Sequence, residues 1–361
     1  MQRLRGVGAV LLGNTNTLEL LMAWETNNKL YGHTDNPWDL ERTAGGSSGG
    51  ESAAIAARIS AGGIGSDGGG SIRVPAHFTG ICGLKPTPGR VPASGHFPVS
   101  AGPFAPLGVV GPMARCVADL RLLFEVIAGP DDGDPYSAPV PVRPAPDNPA
   151  DLKIGYFEDD GRTPVTTETR IVVRKAVQAL KDQGFTVEEF RPDNLEKIRK
   201  LWWNLFGRAG RMVIEPLFKD EPGKMSPTLS QFMNYAREDD ALTVDALMKT
   251  LMDRDLLRQK LFAQMREYPI LLCPTAAIQA FRHGEREWPI EGQEVGYLDA
   301  WSYTEWFNLT GNPAVTVPVE LVKNLPLGVQ LVGRCWEEES LLAVAAKLEE
   351  AVPGVPAPPV S

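Results

Sequence analysis

The sequence is poor in the residues that build metal centres, disulfide frameworks and membrane spans. Only four histidines and four cysteines occur among its 361 residues. No two cysteines form a C-x-x-C pair and the histidines are not paired in spacing, so the sequence predicts no metal site and no redox motif. No apolar run is long enough to cross a bilayer, and we therefore expect no membrane contact.

Basic residues are also in deficit. Lysine and arginine number 36 against 45 acidic residues, which gives a formal net charge of −9. No basic face is evident, which argues against nonspecific binding to nucleic acid. The isolated cysteines are typical of thiols in a reducing compartment, and we expect a cytoplasmic protein. The short apolar run at 7–12 lacks the small residues of a signal-peptide cleavage site.

Glycine and serine are concentrated in one stretch, residues 43–90. Its first cluster, at 45–50, reads GGSSGG, and its second, at 68–71, reads GGGS. The segment between them is alanine-rich and has helical propensity. Because glycine lets main-chain N–H groups approach a ligand closely, both clusters are candidates for holding a phosphate or an oxyanion.

Three interpretations of these clusters compete on composition alone. The simplest is that they are flexible loops or tight turns. A phosphate loop would need a Gly-Lys-Ser/Thr ending, which is absent, so we expect no nucleotide and no other cofactor. The third is a serine nucleophile, since residues 45–49 match G-x-S-x-G. The preceding segment, 36–42, is polar and contains proline, so it is not the buried strand that a nucleophile elbow follows.

Taken as a whole, the stretch 43–90 resembles the amidase signature family of serine hydrolases. The motifs GGSSGG, SDGGGSIRVPA and GICGLKPTPGRVP carry the resemblance. It implies an α/β fold in which a large mixed central β-sheet is covered by helices on both faces. The implied organisation is one domain, 1–361, with a signature core at 1–130, a linker and variable substrate-covering region at 131–290, and a C-terminal return to the core at 291–361.

The resemblance also implies roles for individual residues. Ser71 matches the nucleophile, and Ser47 matches the bridging acid/base, whose preceding peptide bond is cis in the family. The remaining matches are the oxyanion hole at Gly68, Gly69 and Gly70, the loop-bracing pair Asp67 and Arg73, and a substrate-binding segment with Leu21, Met22 and Trp24.

The third member of the family's triad is a lysine on a strand well before the first glycine cluster, in a segment like V-K-D. No such segment occurs in this sequence, so we expect the N-terminal part of the fold to be missing. Lys29 and Lys85 are the lysines nearest in sequence that could replace that base. Without the early strands an apolar sheet edge would be exposed, so we expect the chain to be unstable alone or to form a homo-oligomer.

Hydrophobic patterns predict the other elements. Residues 7–12 are short and apolar like a buried strand, and 109–128 read as one helix. A strand, an amphipathic helix and a second strand, at 152–157, 168–184 and 186–190, predict a βαβ unit. Further predictions are a mostly helical region at 195–268, a strand at 270–275 and a closing helix at 338–350.

The reaction implied by the resemblance is hydrolysis of a small-molecule amide. Ser71 attacks the carbonyl, Ser47 returns the proton to the leaving amine, and water hydrolyses the acyl-enzyme. Aryl amides, esters and carbamates are further substrates that the resemblance allows. Two alternatives stay open: a catalytically silent or truncated relative that binds a ligand or a partner, and an amidotransferase-type subunit.

Overall fold

A large β-sheet forms the centre of the molecule. The computed structural model describes residues 1–238 and 242–359. The sheet contains β1 Gly62–Asp67, β2 Cys82–Lys85, β3 Val109–Ala114, β4 Ile154–Tyr156, β5 Val187–Glu189, β6 Ile270–Pro274, β7 Ala314–Val322 and β8 Leu325–Gly333. These strands lie in the order β1-β3-β2-β7-β8-β6-β4-β5. The pairings of β4 with β6 and β5 are parallel and the others antiparallel, so the sheet is mixed.

Helices cover the sheet on both faces. In β6, Leu271 and Cys273 belong to one apolar core, whereas Ile270 and Leu272 belong to the other. Successive side chains of a strand point to opposite faces, so this alternation means that both faces are buried. The helices are α1 Gln2–Gly6, α2 Gly49–Ala56, α3 Arg73–Thr79, α4 Val117–Ile127, α5 Thr167–Asp182, α6 Ile198–Trp203, α7 Ala209–Ile214, α8 Pro227–Glu238, α9 Val244–Gln264, α10 Ser302–Thr310 and α11 Glu338–Ala351.

Short ribbons lie outside the main sheet. Within the described residues they pair Asn27–Asn28 with Gly32–His33, Asp35–Asn36 with Asp39–Thr43, and Glu287–Ile290 with Gln293–Gly296. In the same part of the chain, no helix combines the length and the apolar composition that crossing a membrane requires.

Most of the predicted elements are confirmed. The βαβ unit is present as β4, α5 and β5, with the two strands parallel and in register from Ile154 opposite Val187. The helix α5 forms because Thr166 caps its N-terminus and because its apolar residues recur on one face. The region 195–268 is mostly helical, and the strand β6 and the closing helix α11 lie where the patterns predict them.

The predicted strand at 7–12 is wrong. The chain begins with α1, and the apolar run that follows has no regular structure and is largely exposed. A strand needs a neighbour for its N–H and C=O groups, and no strand of the described sheet pairs with residues 7–12. The start of the chain is fastened by Arg3, whose guanidinium donates to the carbonyl oxygens of Ile127 and Ala128 at 2.8 and 2.7 Å.

The predicted helix at 109–128 is right only from Val117 onward. The residues before it form β3, which lies between β1 and β2. A Cβ added at Gly111 would come 2.1 Å from the carbonyl oxygen of Leu84, so glycine permits the close approach of these backbones. Pairing between segments distant in sequence therefore decides the conformation of this segment, and no local pattern shows it.

Candidate active site

Two glycine-rich loops bring Ser47 and Ser71 to the wall of one cavity. Ser47 lies just before α2, and Ser71 lies just before α3. The peptide bond between Gly46 and Ser47 is cis. A Cβ added at Gly46 would come 2.2 Å from the carbonyl oxygen of Glu25, so only glycine allows the loop to pack this closely.

The cavity has a volume of about 460 Å³ and a mostly apolar lining. Its walls come from Ser47 and from residues within 20–22, 66–71, 93–110 and 206–217. Among the lining residues that the structure describes, Asp67 and His96 alone have titratable side chains. The two serines therefore face a space suited to an uncharged group.

Asp67 holds the second glycine loop in its shape. Its Oδ1 accepts the N–H of Gly70 at 2.7 Å, and its Oδ2 accepts the N–H groups of Ile72 and Arg73 at 3.1 and 3.3 Å. The Arg73 guanidinium donates to both oxygens, from Nε at 3.0 Å and from Nη2 at 2.9 Å. Both side chains are 0% exposed, so the loop around Ser71 is built on a buried ion pair.

Residues in the C-terminal part of the chain hold the Arg73 side chain of this ion pair in place. Arg73 also donates to Oε1 of Gln330 at 3.0 Å, to Oδ1 of Asn308 at 2.5 Å and to the carbonyl oxygen of Thr304 at 2.9 Å. Burial alone would raise the pKa of Asp67, but the charge and the hydrogen bonds of Arg73 outweigh it and lower that pKa to about 2. Asp67 is therefore ionised at neutral pH and does not act as a proton donor.

The peptide groups of the glycine loop are oriented by indole donors. Nε1 of Trp202 donates to the carbonyl oxygen of Gly68 at 2.9 Å, and Nε1 of Trp24 donates to that of Gly69 at 2.8 Å. Among the described residues, the N–H groups of Gly68 and Gly69 donate to no protein acceptor. The predicted oxyanion donor Gly70 differs, because its N–H is already bonded to Asp67.

Ser47 is held in an unusual environment for a hydroxyl. Its Oγ is buried and has no hydrogen-bond partner in the described part of the chain. Neither candidate lysine lies on the cavity wall. Lys85 is buried in β2 and its Nζ donates to the carbonyl oxygen of Pro86 at 3.0 Å, whereas the exposed Lys29 donates to the carbonyl oxygen of Gly223. The structure thus does not bring either amine to Ser47.

The predicted substrate-binding segment divides into two parts. Leu21 and Met22 line the cavity, but Trp24 does not. The Trp24 ring is buried and stacks on Trp301 with 5.8 Å between ring centroids. Trp24 therefore contacts the glycine loop, through its hydrogen bond to Gly69, and not the cavity.

Several lining residues were not singled out from the sequence. One wall is the loop 96–104, and another consists of Phe206, Val213, Ile214 and Leu217 from the helical region. Apolar residues at helical spacing are usual in a protein core, so their pattern does not distinguish a cavity wall from ordinary packing.

His77 on α3 joins this helix to the strand β8 through a hydrogen bond that depends on pH. Its Nδ1 accepts the N–H of Gly328 at 3.2 Å, and its Nε2 lies 3.3 Å from the carbonyl oxygen of Ile278. These partners require the neutral ring with its proton on Nε2. Burial lowers the pKa of His77 to about 4, although the two backbone hydrogen bonds act in the opposite direction.

We expect His77 to destabilise the protein in mild acid. Between pH 6.5, the ordinary histidine value, and pH about 4, the unfolded chain binds a proton that the folded chain excludes. The free energy of unfolding should therefore fall as the pH decreases through this window, by up to about 1.4 kcal/mol per pH unit from this group. Urea denaturation at several pH values measures the slope. The slope should be smaller in His77→Gln, and equal slopes in wild type and His77→Gln would contradict the assignment.

Known proteins with related sequences match almost the whole chain. The profile of the amidase family matches residues 1–342. The chain is 31% identical over 360 residues to an indoleacetamide hydrolase of Bradyrhizobium diazoefficiens, an alignment that covers 97% of this chain and 66% of that protein. It is 32% identical to an acylamidase of Rhodococcus erythropolis and 33% identical to a glutamyl-tRNA(Gln) amidotransferase subunit of Moorella thermoacetica. These alignments cover 98% and 97% of this chain, and 74% and 75% of those proteins.

Solved structures agree with the sequence relatives. A bacterial aryl acylamidase of the amidase signature family superimposes with a TM-score of 0.84 at 28% identity, covering 98% of this chain and 74% of that chain. A 6-aminohexanoate cyclic dimer hydrolase superimposes with the same TM-score at 31% identity, covering 98% of this chain and 77% of that chain. The chain thus spans about two thirds to three quarters of the length of these relatives. Profile, relatives and fold together establish that the chain belongs to the amidase signature family.

Proposed function

We propose that the protein hydrolyses a carboxamide to a carboxylate and ammonia or an amine through an acyl-Ser71 intermediate. The observation that best supports this is the shared cavity of Ser47, Ser71 and a glycine loop with free N–H groups. In the proposed mechanism Ser71 attacks the carbonyl carbon while the N–H groups of Gly68 and Gly69 stabilise the oxyanion. The Ser47 hydroxyl makes no hydrogen bond to Ser71 in this structure, so the mechanism requires the two hydroxyls to come within hydrogen-bond distance when substrate binds. Ser47 then passes the proton of Ser71 to a base and returns it to the leaving amine, and water releases the acid.

The mechanism requires a base beside Ser47, because a serine hydroxyl is a weak nucleophile until a neighbouring group removes its proton. The buried Oγ of Ser47, without a protein partner among the described residues, is suited to a hydrogen bond with an amine. We propose that a lysine outside these 361 residues makes that contact, in keeping with the family's triad. A catalytically silent relative is the alternative.

The cavity favours a neutral, apolar acyl group. The Asp67 carboxylate is neutralised by Arg73, which leaves His96 as the remaining titratable side chain on the described walls. Glutamine, which an amidotransferase-type subunit would use, carries an ammonium and a carboxylate group. Burying either without a charged partner is costly. The lining therefore supports a hydrolase of apolar amides, including aryl amides, over an amidotransferase-type subunit.

Two further proposals concern the cellular location and the oligomeric state of the protein. The four cysteines, Cys82, Cys116, Cys273 and Cys335, are all free thiols, which supports a reducing, cytoplasmic location. Self-association stays a prediction, and sedimentation velocity of the purified chain measures it.

The proposed function is tested by comparing neutral and charged amides as substrates. We expect hydrolysis of an alkanoyl anilide and no release of ammonia from glutamine. The assay uses this chain and, where the reading frame upstream encodes a V-K-D-like segment, the longer chain. Replacing the lysine of that segment with methionine should lower kcat by about 10²–10⁴-fold. A folded longer chain that is inert towards neutral amides would indicate a silent relative, and ammonia released from glutamine would indicate an amidotransferase-type subunit.

A further inference from the structure

Three potential metal ligands meet at the protein surface, outside the cavity of Ser71. His33 ends the strand Gly32–His33, Asp35 begins the strand Asp35–Asn36, and His283 lies in the segment that follows β6. Nε2 of His283 lies 3.0 Å, and Nε2 of His33 lies 3.3 Å, from the same Oδ1 atom of Asp35. The sequence predicts no metal site because Asp35 and His283 are 248 positions apart, so no local spacing joins them.

The donor separations match those around a divalent transition metal. Zinc binds imidazole nitrogen and carboxylate oxygen at about 2.0–2.2 Å, which places adjacent ligand atoms of a tetrahedral site roughly 3.3–3.6 Å apart. The two nitrogen–oxygen separations lie close to this range, and all three donor atoms lie within 4.8 Å of one another. Because the His33 side chain is 55% exposed, its ring can rotate to adjust the distance between its Nε2 and that of His283 without disturbing the core.

The charge of Asp35 also favours a cation, and Arg286, which lines the adjoining cavity, is paired with Glu25. No lysine or arginine within the described residues forms an ion pair with Asp35, so the two imidazole rings are its partners. Two imidazoles and one carboxylate suit zinc and its neighbours in the first transition row, whereas magnesium and calcium prefer oxygen ligands. A polar surface cavity of about 480 Å³ adjoins His33 and His283, so water has room to complete the coordination.

We propose that His33, Asp35 and His283 bind a zinc-class divalent cation, which fastens the segment after β6 to the chain leading into the Ser47 loop. Thr34 lies between two of the ligands, and its carbonyl oxygen accepts the N–H of Ala44 at 3.3 Å. Zinc takes the position between the rings and the carboxylate, and each ring then carries its single proton on Nδ1 so that the Nε2 lone pair faces the cation. The cation stabilises this part of the fold and takes no part in the reaction.

The proposal is tested by titrating metal-free protein with zinc chloride in a calorimeter. We expect one equivalent to bind and the melting temperature to rise by a few degrees. His33→Ala and His283→Ala should each weaken binding by more than about tenfold and remove the thermal shift. His96→Asn is the matched control and should bind zinc like wild type, and magnesium chloride should give no shift. Lowering the pH should weaken binding, because a protonated imidazole is not a ligand.

Both histidines lie at or near the surface, so the variants should melt like wild type in the absence of zinc. This comparison separates loss of the site from loss of the fold. Binding of Co²⁺ provides a second readout, because its visible spectrum shows whether thiolates take part. The proposal is overturned if wild type binds no stoichiometric zinc, if the two histidine variants bind as tightly as wild type, or if the Co²⁺ spectrum shows thiolate ligation.

Discussion

Ser71→Ala is expected to abolish amide hydrolysis, with kcat reduced by about 10⁴-fold or more. The hydroxyl lies on the cavity wall, and the substitution removes the atom that forms the acyl-enzyme while leaving the cavity unchanged. The Asp67 ion pair and the free glycine N–H groups do not depend on the Ser71 side chain. Substrate affinity should therefore change little, so that the loss appears in kcat rather than in KM.

The measurement is steady-state hydrolysis of an alkanoyl anilide. It uses this chain or the longer chain with the V-K-D-like segment, whichever has the higher kcat. Ser340→Ala is the matched control, since Ser340 lies on α11 and away from the cavity, and its activity should equal that of wild type. Mass spectrometry of protein quenched during turnover should detect an acyl adduct on wild type and none on Ser71→Ala. Turnover that persists at the wild-type rate in Ser71→Ala would exclude Ser71 as the nucleophile.

Arg73→Met is expected to lower the free energy of unfolding by about 3–5 kcal/mol, the usual cost of removing one partner of a buried ion pair. The substitution leaves the Asp67 carboxylate buried without its countercharge. It also leaves the Gln330 and Asn308 side chains without their shared donor. Protein that remains folded should have lost hydrolysis as well, because the same carboxylate positions the loop that ends in Ser71.

Guanidinium chloride denaturation measures this loss, and an exposed ion pair provides the control. Arg121 and Glu125 lie four positions apart on α4 with side chains 48% and 38% exposed. Arg121→Met should therefore cost less than about 1 kcal/mol. The double variant Asp67→Asn with Arg73→Met should recover part of the stability, since neither position of the pair then carries a buried charge without its partner. A loss as small as that of Arg121→Met would show that the buried pair does not stabilise the fold.

The parts of the candidate site that lie within one continuous motif could be proposed from the sequence. Asp67, Ser71 and Arg73 are close together along the chain, and the glycines around them indicate a backbone that approaches other groups closely. The cavity walls formed by the loop 96–104 and by Phe206 were not predictable. Their residue types are equally common in loops and cores, and only the folded chain shows that they surround an open space.

The fold was predictable where local pattern and tertiary structure agree. The helix α5 has both a capping threonine and an amphipathic pattern, and it was predicted nearly to its ends. Residues 7–12 show the limit of such reasoning, because an apolar run becomes a strand only where a neighbouring strand accepts it. In β1 the opposite holds, since this glycine-rich segment has weak strand propensity but pairs with β3 from Gly62 to Asp67.

The hydrogen bonds that Arg73 donates to the C-terminal part of the chain affect how the protein reaches its native state. The side chains of Arg73 and Gln330 are 257 positions apart, and the carbonyl oxygen of Thr304 lies 231 positions from Arg73. Contacts of such high sequence separation form late, because closing a long loop costs entropy before the contact is made. The glycine-rich loop at 67–71 therefore does not adopt its conformation independently of the rest of the chain. Only a chain whose last strands have joined the sheet acquires a rigid loop at Ser71, so catalytic competence should appear as the final event of folding.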